Sequence, residues 1–319
     1  KDLEALLNSD VLQTTKWTSE EWGFNVELEN ERQQISKIYN KLKASRAKQK
    51  RVPVNYRQQI IRGNDGIGRV YPAQSLSLCS IRQEVRHTLA KDIYYDIDIE
   101  NCHPNLLLQI CQKEKIETPY LQMYCQKRET CLESIQDTYK VSRKQAKLLV
   151  IRLCYGGEFS YWCQENDVTP EVVLEWVEGI TDELNKIRDI CWERNPYLHS
   201  FVEKKKDPKR SLLSYFTQDI ECKILSSMFG CLQSKSIIKK NRAGSYGCVL
   251  CFDGIMVEKA NVKAPLEEIL LDLQAGVLRN TGFNLTFTEK AMENGYDLDE
   301  LKKLDDEKTV TVMGYEHNL

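Results

Sequence analysis

The sequence predicts an α+β chain, mostly α-helical, with a small antiparallel sheet. Three observations carry that expectation. Ile93-Tyr94-Tyr95-Asp96-Ile97-Asp98-Ile99 alternates at period two, the pattern of a strand with one buried face. The runs Gly247–Phe252 and Ile255–Val257 flank Asp253-Gly254, a strong short-range hairpin signal with its turn at Asp253-Gly254. Residues 118–206 and 211–238 read as helical.

Taken in order, residues 1–50 read as helical and charged, with Trp17 and Trp22 as anchors. Residues 51–75 read as loop-rich, because Pro53, Gly63, Gly66, Gly68 and Pro72 punctuate them. After the strand at 93–99, Asn105–Gln112 forms an apolar helix behind Pro104. The helical stretch from 118 breaks near Gly156-Gly157 and near Pro170. There Thr169-Pro170-Glu171 offers an N-cap with proline at the first helical position. Residues 211–238 continue as helix, Leu266–Thr281 is another, and Phe283–Thr288 alternates as a strand. No internal repeat is present.

At 319 residues the chain can bury a good core, as one large domain or two smaller ones. A composition 41% hydrophobic and 29% charged is that of a globular protein, and no run of eighteen apolar residues predicts a membrane helix. The chain begins at Lys1 without Met or a signal-peptide pattern, which suggests an excised domain. The net charge of -2 does not single out nucleic acid. Basic clusters at 41–51, 204–210 and 239–242 suit either a phosphate-tracking groove or solvated faces, and the acidic residues concentrate between Asp297 and Glu307. Twelve cysteines without a spacing framework point to a reducing, intracellular compartment. The lone C-x-x-C of Cys248 and Cys251 has no second pair and no histidine at zinc spacing, so it reads as buried core thiols.

Chemistry concentrates between Arg143 and Gly156. Arg143 and Lys147 stand one helical turn apart on one face, and Tyr155 returns near that face two turns later. The row is ~18 Å long, about the reach of a base carrying a triphosphate. Solvated cations followed by a helix-ending Tyr-Gly are the bland alternative. Two aspartates are placed where a metal-dependent enzyme would want them, Asp98 at the end of a strand and Asp253 at a hairpin tip. On neighbouring strands they could converge on Mg²⁺, or Mn²⁺, which takes oxygen ligands. Asp253 could equally be the turn residue of an Asp-Gly pair, and Asp96 shares a strand face with Asp98.

The ordered set resembles family A DNA polymerases, which are related to single-subunit RNA polymerases. Asp98 matches the strand motif with the first metal-binding Asp. Arg143, Lys147, Tyr155 and Gly156 match the Arg-x3-Lys-x7-Tyr-Gly finger helix without a gap, and Asp253 matches the hairpin motif. Gly68-Arg69 matches the upstream Gly-Arg, with Arg82 or Arg86 following. Asp98-Ile99-Glu100-Asn101-Cys102-His103-Pro104 and Gln218-Asp219-Ile220-Glu221 bring the chain nearer to the compact transposon–viral–plasmid branch, whose members are often joined to a primase or helicase domain. The resemblance covers roughly residues 60–290. Two departures stand out: the hairpin motif is Cys-Phe-Asp-Gly, without the histidine and second acid of cellular enzymes, and His103 occupies the position of the glutamate that blocks a ribose hydroxyl.

The resemblance implies a right-hand polymerase fold, with an antiparallel-sheet palm and helical fingers. Residues 1–60 would be a helical, thumb-like region, 61–117 palm, 118–210 fingers, 211–295 palm again, and 296–319 an acidic tail or linker. It implies a DNA-directed DNA polymerase of a virus, plasmid or mobile element, extending a primer 3′-hydroxyl. Asp98 and Asp253 would hold two Mg²⁺ ions and, with Lys147, form the catalytic set. Arg143, Lys147, Tyr155, His103 and Gly156 would bind the dNTP or rNTP. Arg69, Arg82, Arg86 and Gln218 would contact primer–template nucleic acid. A fused or associated helicase or primase is the expected partner, and no membrane is expected. The rivals are a primase or RNA polymerase of the same superfamily, and a nucleic-acid-binding module whose polymerase site has decayed.

Overall fold

The computed structural model describes residues 2–12, 17–18, 27–28, 31–44, 53–62, 65–73, 77–242 and 244–301. Helices α1 (Asp2–Asn8) and α2 (Glu31–Ala44) flank a two-residue antiparallel pair, β1 (Trp17–Thr18) with β2 (Glu27–Leu28). Trp17 thus lies in a strand, while Trp22 and residues 302–319 fall outside the described residues. Leu6, Ile35 and Val85 make a small core here, and Tyr296, Leu298 and Leu301 return to pack on it. The first residues of the expected acidic tail are therefore tied to the N-terminal helices.

The segment expected as loop is a hairpin, β3 (Tyr56–Arg62) paired antiparallel with β4 (Asp65–Pro72). Gly66 and Gly68 do not break the pairing; they lie within it. Between Gln58↔Val70 and Ile60↔Ile67, one residue of β3 faces two of β4, which is a bulge at Gly68-Arg69. Gly68 takes φ +78°, a conformation that glycine adopts without a Cβ penalty.

Helix α3 (Gln83–Ala90) leads into β5 (Tyr94–Ile99), and α4 (Cys102–Lys113) follows. The helical region continues as α5 (Pro119–Gln126), α6 (Arg128–Tyr139), α7 (Arg143–Cys154), α8 (Phe159–Glu165), α9 (Glu175–Arg194), α10 (His199–Val202) and α11 (Pro208–Ser234). Then come the hairpin β6 (Cys248–Cys251) and β7 (Gly254–Glu258), α12 (Leu266–Thr281) and β8 (Phe287–Glu289). Helix α9 starts at Glu175 rather than at Pro170. Its entry is fixed by burial of Val177 and Ile180 and by the Leu174 N–H donating to the Tyr139 hydroxyl at 3.0 Å, so tertiary contact outweighs the local cap signal. Strand β8 is shorter than the expected Phe283–Thr288, because Asn284 is held to α4 instead, its N–H donating to Gln109 at 2.8 Å.

The fold is α+β and mostly helical, with one four-stranded antiparallel sheet in the order β6-β7-β5-β8. Ile97, Ile255 and Val257 of the sheet share a core with Ile224 and Met228 of α11 and Leu273 and Val277 of α12. A second core joins the helices from α4 to α11 around Leu121, Leu149 and Trp162. Helices α4 and α11 enter both, through Leu106 and Leu107 and through Ile224 and Leu213. At 27 residues α11 is ~40 Å long and carries Gln218 and Glu221 between the two cores. Among the described residues no helix is long and apolar enough to cross a membrane. All twelve cysteines are free thiols, and Cys248 and Cys251 are half-buried within or at the end of β6.

Candidate active site

Strand register brings the two aspartates to one edge. In the β5–β7 ladder Asp98 stands opposite Gly254, so Asp253, one residue before β7, lies beside Asp98. The Ile99 N–H donates to the Asp253 carbonyl at 3.2 Å and locks the turn to the end of β5. The turn itself is Phe252-Asp253, one residue earlier than the Asp-Gly signal suggested. Phe252 takes φ +62°, a strained conformation for an aromatic residue. Its ring is held by the Arg69 guanidinium 4.8 Å from the ring centre and by Tyr71 edge-on at 5.4 Å. Gly254 is a strand residue whose missing side chain leaves room for Asp98.

Charge accumulates at this corner. Desolvation pushes the Asp253 carboxyl up to about 7; Asp98 and Glu221 push the same way, and Arg69 opposes them. Asp96, buried on the same face of β5, is raised by its own burial and by Asp98, against Arg86 and Lys290. The Lys290 ammonium, just beyond β8, donates to Oδ2 of Asp98 at 3.0 Å. Lys147 of α7 lies within electrostatic reach of Asp98 and Asp253. Its pKa is lowered by desolvation and by the neighbouring Arg128 and Lys290, while Asp98 and Asp253 act to raise it. The donors at Asp98 and Asp253 are oxygen atoms alone, and their mutual repulsion is what a hard divalent cation relieves.

Helix α7 is placed by local chemistry. Ser142 caps it in a reciprocal capping box with Gln145. It ends in a Schellman motif, with Gly156 N–H bonded to Leu153 O and Gly157 N–H to Arg152 O, both at 2.8 Å, and Gly156 at φ +73°. That ending puts Tyr155 into a buried polar cluster. Its hydroxyl lies 3.2 Å from His103 Nε2 and accepts from Arg69 Nη2 at 3.4 Å. Arg69 also makes a two-pronged bond to Glu221, at 2.7 and 2.8 Å, and His103 Nε2 donates to the same carboxylate. Glu221 is wholly buried; desolvation alone would raise its carboxyl, but Arg69 and His103 outweigh it and bring it down to about 2. Cys102, His103 and Glu221 lie close enough to suggest a metal triad. Arg69 already neutralises Glu221, however, so the cluster is a filled ion-pair network.

The bulge explains how Arg69 reaches this network. Gln218, buried on α11, packs over Gly68, and Asp219 accepts the Gly68 N–H at 3.4 Å. Of the remaining residues expected to contact nucleotide or nucleic acid, three stand apart. Arg143 is exposed at the start of α7 and paired with Glu129 at 2.7 Å. Arg82 pairs with Glu31 at 3.1 Å and bonds the Val11 carbonyl, which ties α3 to the N-terminal region. Arg86 acts electrostatically on Asp96 and Cys251, with its Nε buried and unbonded among the described residues. Three residues that act on these groups were not among the expected site residues: Glu221 in the polar cluster, Lys290 on Asp98, and Arg128 beside Lys147. Glu221 stood in the Gln-x-x-Glu pattern; the other two left no local signal.

No protein-family model matches the chain. It is 33% identical over 233 residues to "Putative helicase V13" of Sputnik virophage, an alignment covering 71% of this chain and 28% of that protein. The chain thus spans little more than a quarter of the length of the relative it matches. Its sequence contains no Gly-Lys pair, and so no P-loop of the form G-x-x-x-x-G-K-[ST].

Proposed function

We propose that this chain is a template-directed nucleotidyltransferase, a DNA polymerase module extending a primer 3′-hydroxyl. The observation that carries the proposal is the convergence of Asp98 and Asp253 at one sheet edge, faced by Lys147 from the finger-like helix α7. Sequence distances of about 50 and 100 residues separate these groups from one another, and an ordinary structural role gives them no reason to meet. Asp98 and Asp253 would hold the divalent cations, Mg²⁺ or Mn²⁺, which when bound activate the attacking oxygen and stabilise the leaving pyrophosphate. The α+β fold, with its antiparallel sheet and helical region, accommodates a palm and fingers.

The chain's own residues then divide the work. Lys147 lies within the field of the carboxylates, where its ammonium can neutralise phosphate charge that develops during transfer. Tyr155 closes the end of α7, with its ring edge-on to His103 at 5.0 Å, beside the space for base and sugar. The Glu221–Arg69–His103 network sets the positions of both rings. Arg69 is committed to Glu221, and the buried Gln218 donates its amide to the Ser214 hydroxyl at 3.1 Å, so both support the bulge rather than reach primer–template. Arg143 can reach phosphate only by leaving Glu129, so its part is a secondary one.

The virophage relative is named as a helicase and is much longer than this chain. With no P-loop in these 319 residues, a polymerase module would sit beside a separate helicase motor in proteins of this kind, in viruses or mobile elements. Primer extension in Mg²⁺ with dNTPs and, separately, rNTPs tests the activity and the sugar preference together. Templated addition of dNTPs is expected. Addition of rNTPs alone would favour the primase or RNA polymerase, and binding without addition the decayed module.

A further inference from the structure

The ion pair between Lys290 and Asp98 is not explained by the fold. The backbone N–H of Lys290 already bonds the Asp96 carbonyl at 2.8 Å, so the edge pairing of β8 does not need the side chain. That side chain is 44% exposed and free to extend into water. Holding a lysine in one geometry costs rotamer entropy, and exposed pairs of this kind contribute little to folding. Lys290 nevertheless turns inward, against the repulsion of Lys147, into the field of Asp98, Asp253 and Asp96.

The choice of oxygen gives the pair its meaning. Oδ1 of Asp98 is pressed against β7, 2.8 Å from where a Cβ on Gly254 would be. Oδ2 is the oxygen left for an incoming cation, and it is the one that Lys290 binds. A magnesium-type ion sits about 2.1 Å from its carboxylate oxygens, and the Lys290 ammonium 3.0 Å from the same oxygen cannot stay in place without strong repulsion.

We propose that Lys290 is a tethered counter-ion that competes with the divalent cation for Oδ2 of Asp98, so that cation binding is coupled to release of the ammonium. It holds the carboxylate in position and sets the cation affinity of the site. This rests on the proposed cation site at Asp98 and Asp253.

The test is Mn²⁺ binding to the full chain without nucleotide, followed by the electron paramagnetic resonance signal of free Mn²⁺. Wild type, Lys290→Met, Lys290→Arg, Asp98→Asn, the Asp98→Asn/Lys290→Met pair, and Asp253→Asn alone and with Lys290→Met are compared, with thermal melts to verify folding. Lys290→Met is expected to bind Mn²⁺ about fivefold more tightly, the equivalent of roughly 1 kcal/mol for a partly exposed pair. Lys290→Arg, which keeps the charge, is expected to stay near wild type. In the Asp98→Asn background the Lys290 substitution should have no effect. Affinity unchanged or weakened in Lys290→Met would overturn the counter-ion role and leave the cation site standing, as would the same gain with Asp98→Asn present. If neither wild type nor Lys290→Met showed saturable binding that Asp253→Asn removes, the cation site itself would fall.

Discussion

Asp98 and Gly254 face each other across the β5–β7 ladder, and the Asp98 carboxylate fills the space that a side chain at 254 would need. A Cβ there would lie 2.8 Å from both Asp98 Oδ1 and the Ile97 carbonyl. Gly254→Ala should therefore displace Asp98 and also push β7 from the Ile97 carbonyl of β5, although residue 254 itself is not left-handed. Small displacements of reacting groups cost on the order of 100-fold in rate. The expected result is a loss of about that size in kcat for primer extension, with folding retained by circular dichroism. A fully active Gly254→Ala variant would show that Asp98 does not have to hold this position.

Glu221 anchors the polar cluster and ties hairpin β3–β4 to α4 and α11. Glu221→Ala leaves Arg69 and His103 buried without their partner, at a cost of about 3–5 kcal/mol in chemical denaturation. The pH dependence has a defined sign. The folded carboxyl lies near 2 against an ordinary 4.5, so its contribution is fully present above about pH 4.5 and is lost as pH falls towards 2. Urea melts of wild type should weaken over that window, and Glu221→Gln should remove that part of the slope.

Asp253 behaves in the opposite sense. Its folded carboxyl lies near 7, above the ordinary 3.8, so ionising it costs stability progressively as pH rises from about 4 to about 7. A bound divalent cation offsets that cost and requires the carboxylate form. Mn²⁺ is therefore expected to raise the Tm more at pH 8 than at pH 5, and the difference should disappear in Asp253→Asn. An equal rise at both pH values would show that the cation does not bind Asp253.

At the bulge, Gly68→Ala places a Cβ on a residue at φ +78°, which costs about 1–2 kcal/mol. The new Cβ would meet Gln218 Oε1 at 3.6 Å, an ordinary contact, so strain rather than collision is expected. Equilibrium urea unfolding measures it, and part of the loss should come from a weakened Arg69–Glu221 pair.

Parts of the fold whose causes are local were legible in the sequence. Helix α12 runs over Leu266–Thr281 as its periodicity suggested, and α7 ends at the Tyr155-Gly156 break that the sequence marked, while its Ser142 cap was not among the expectations. The β3–β4 hairpin was not, because Gly66 and Gly68 signal a loop unless the bulge that uses one of them is known. The turn at Phe252-Asp253 was displaced by one residue for a tertiary reason: Gly254 serves the space around Asp98, and Arg69 and Tyr71 hold Phe252 in its strained form. The site divides in the same way. Asp98, Lys147, Tyr155 and Asp253 could be picked out by residue type and spacing, and the structure brings them to one region. The pairing of Arg69 with Glu221, 152 positions later, and of Asp98 with Lys290, 192 later, leaves no trace at either position taken alone.

The most direct test of the polymerase proposal is primer extension by Asp253→Asn beside wild type, at equal protein and in Mg²⁺, with primer–template binding measured in parallel. Wild type should add templated nucleotides, and the variant should add none while binding primer–template nearly as well. Extension by Asp253→Asn at the wild-type rate would contradict the assignment of Asp253 to the catalytic centre.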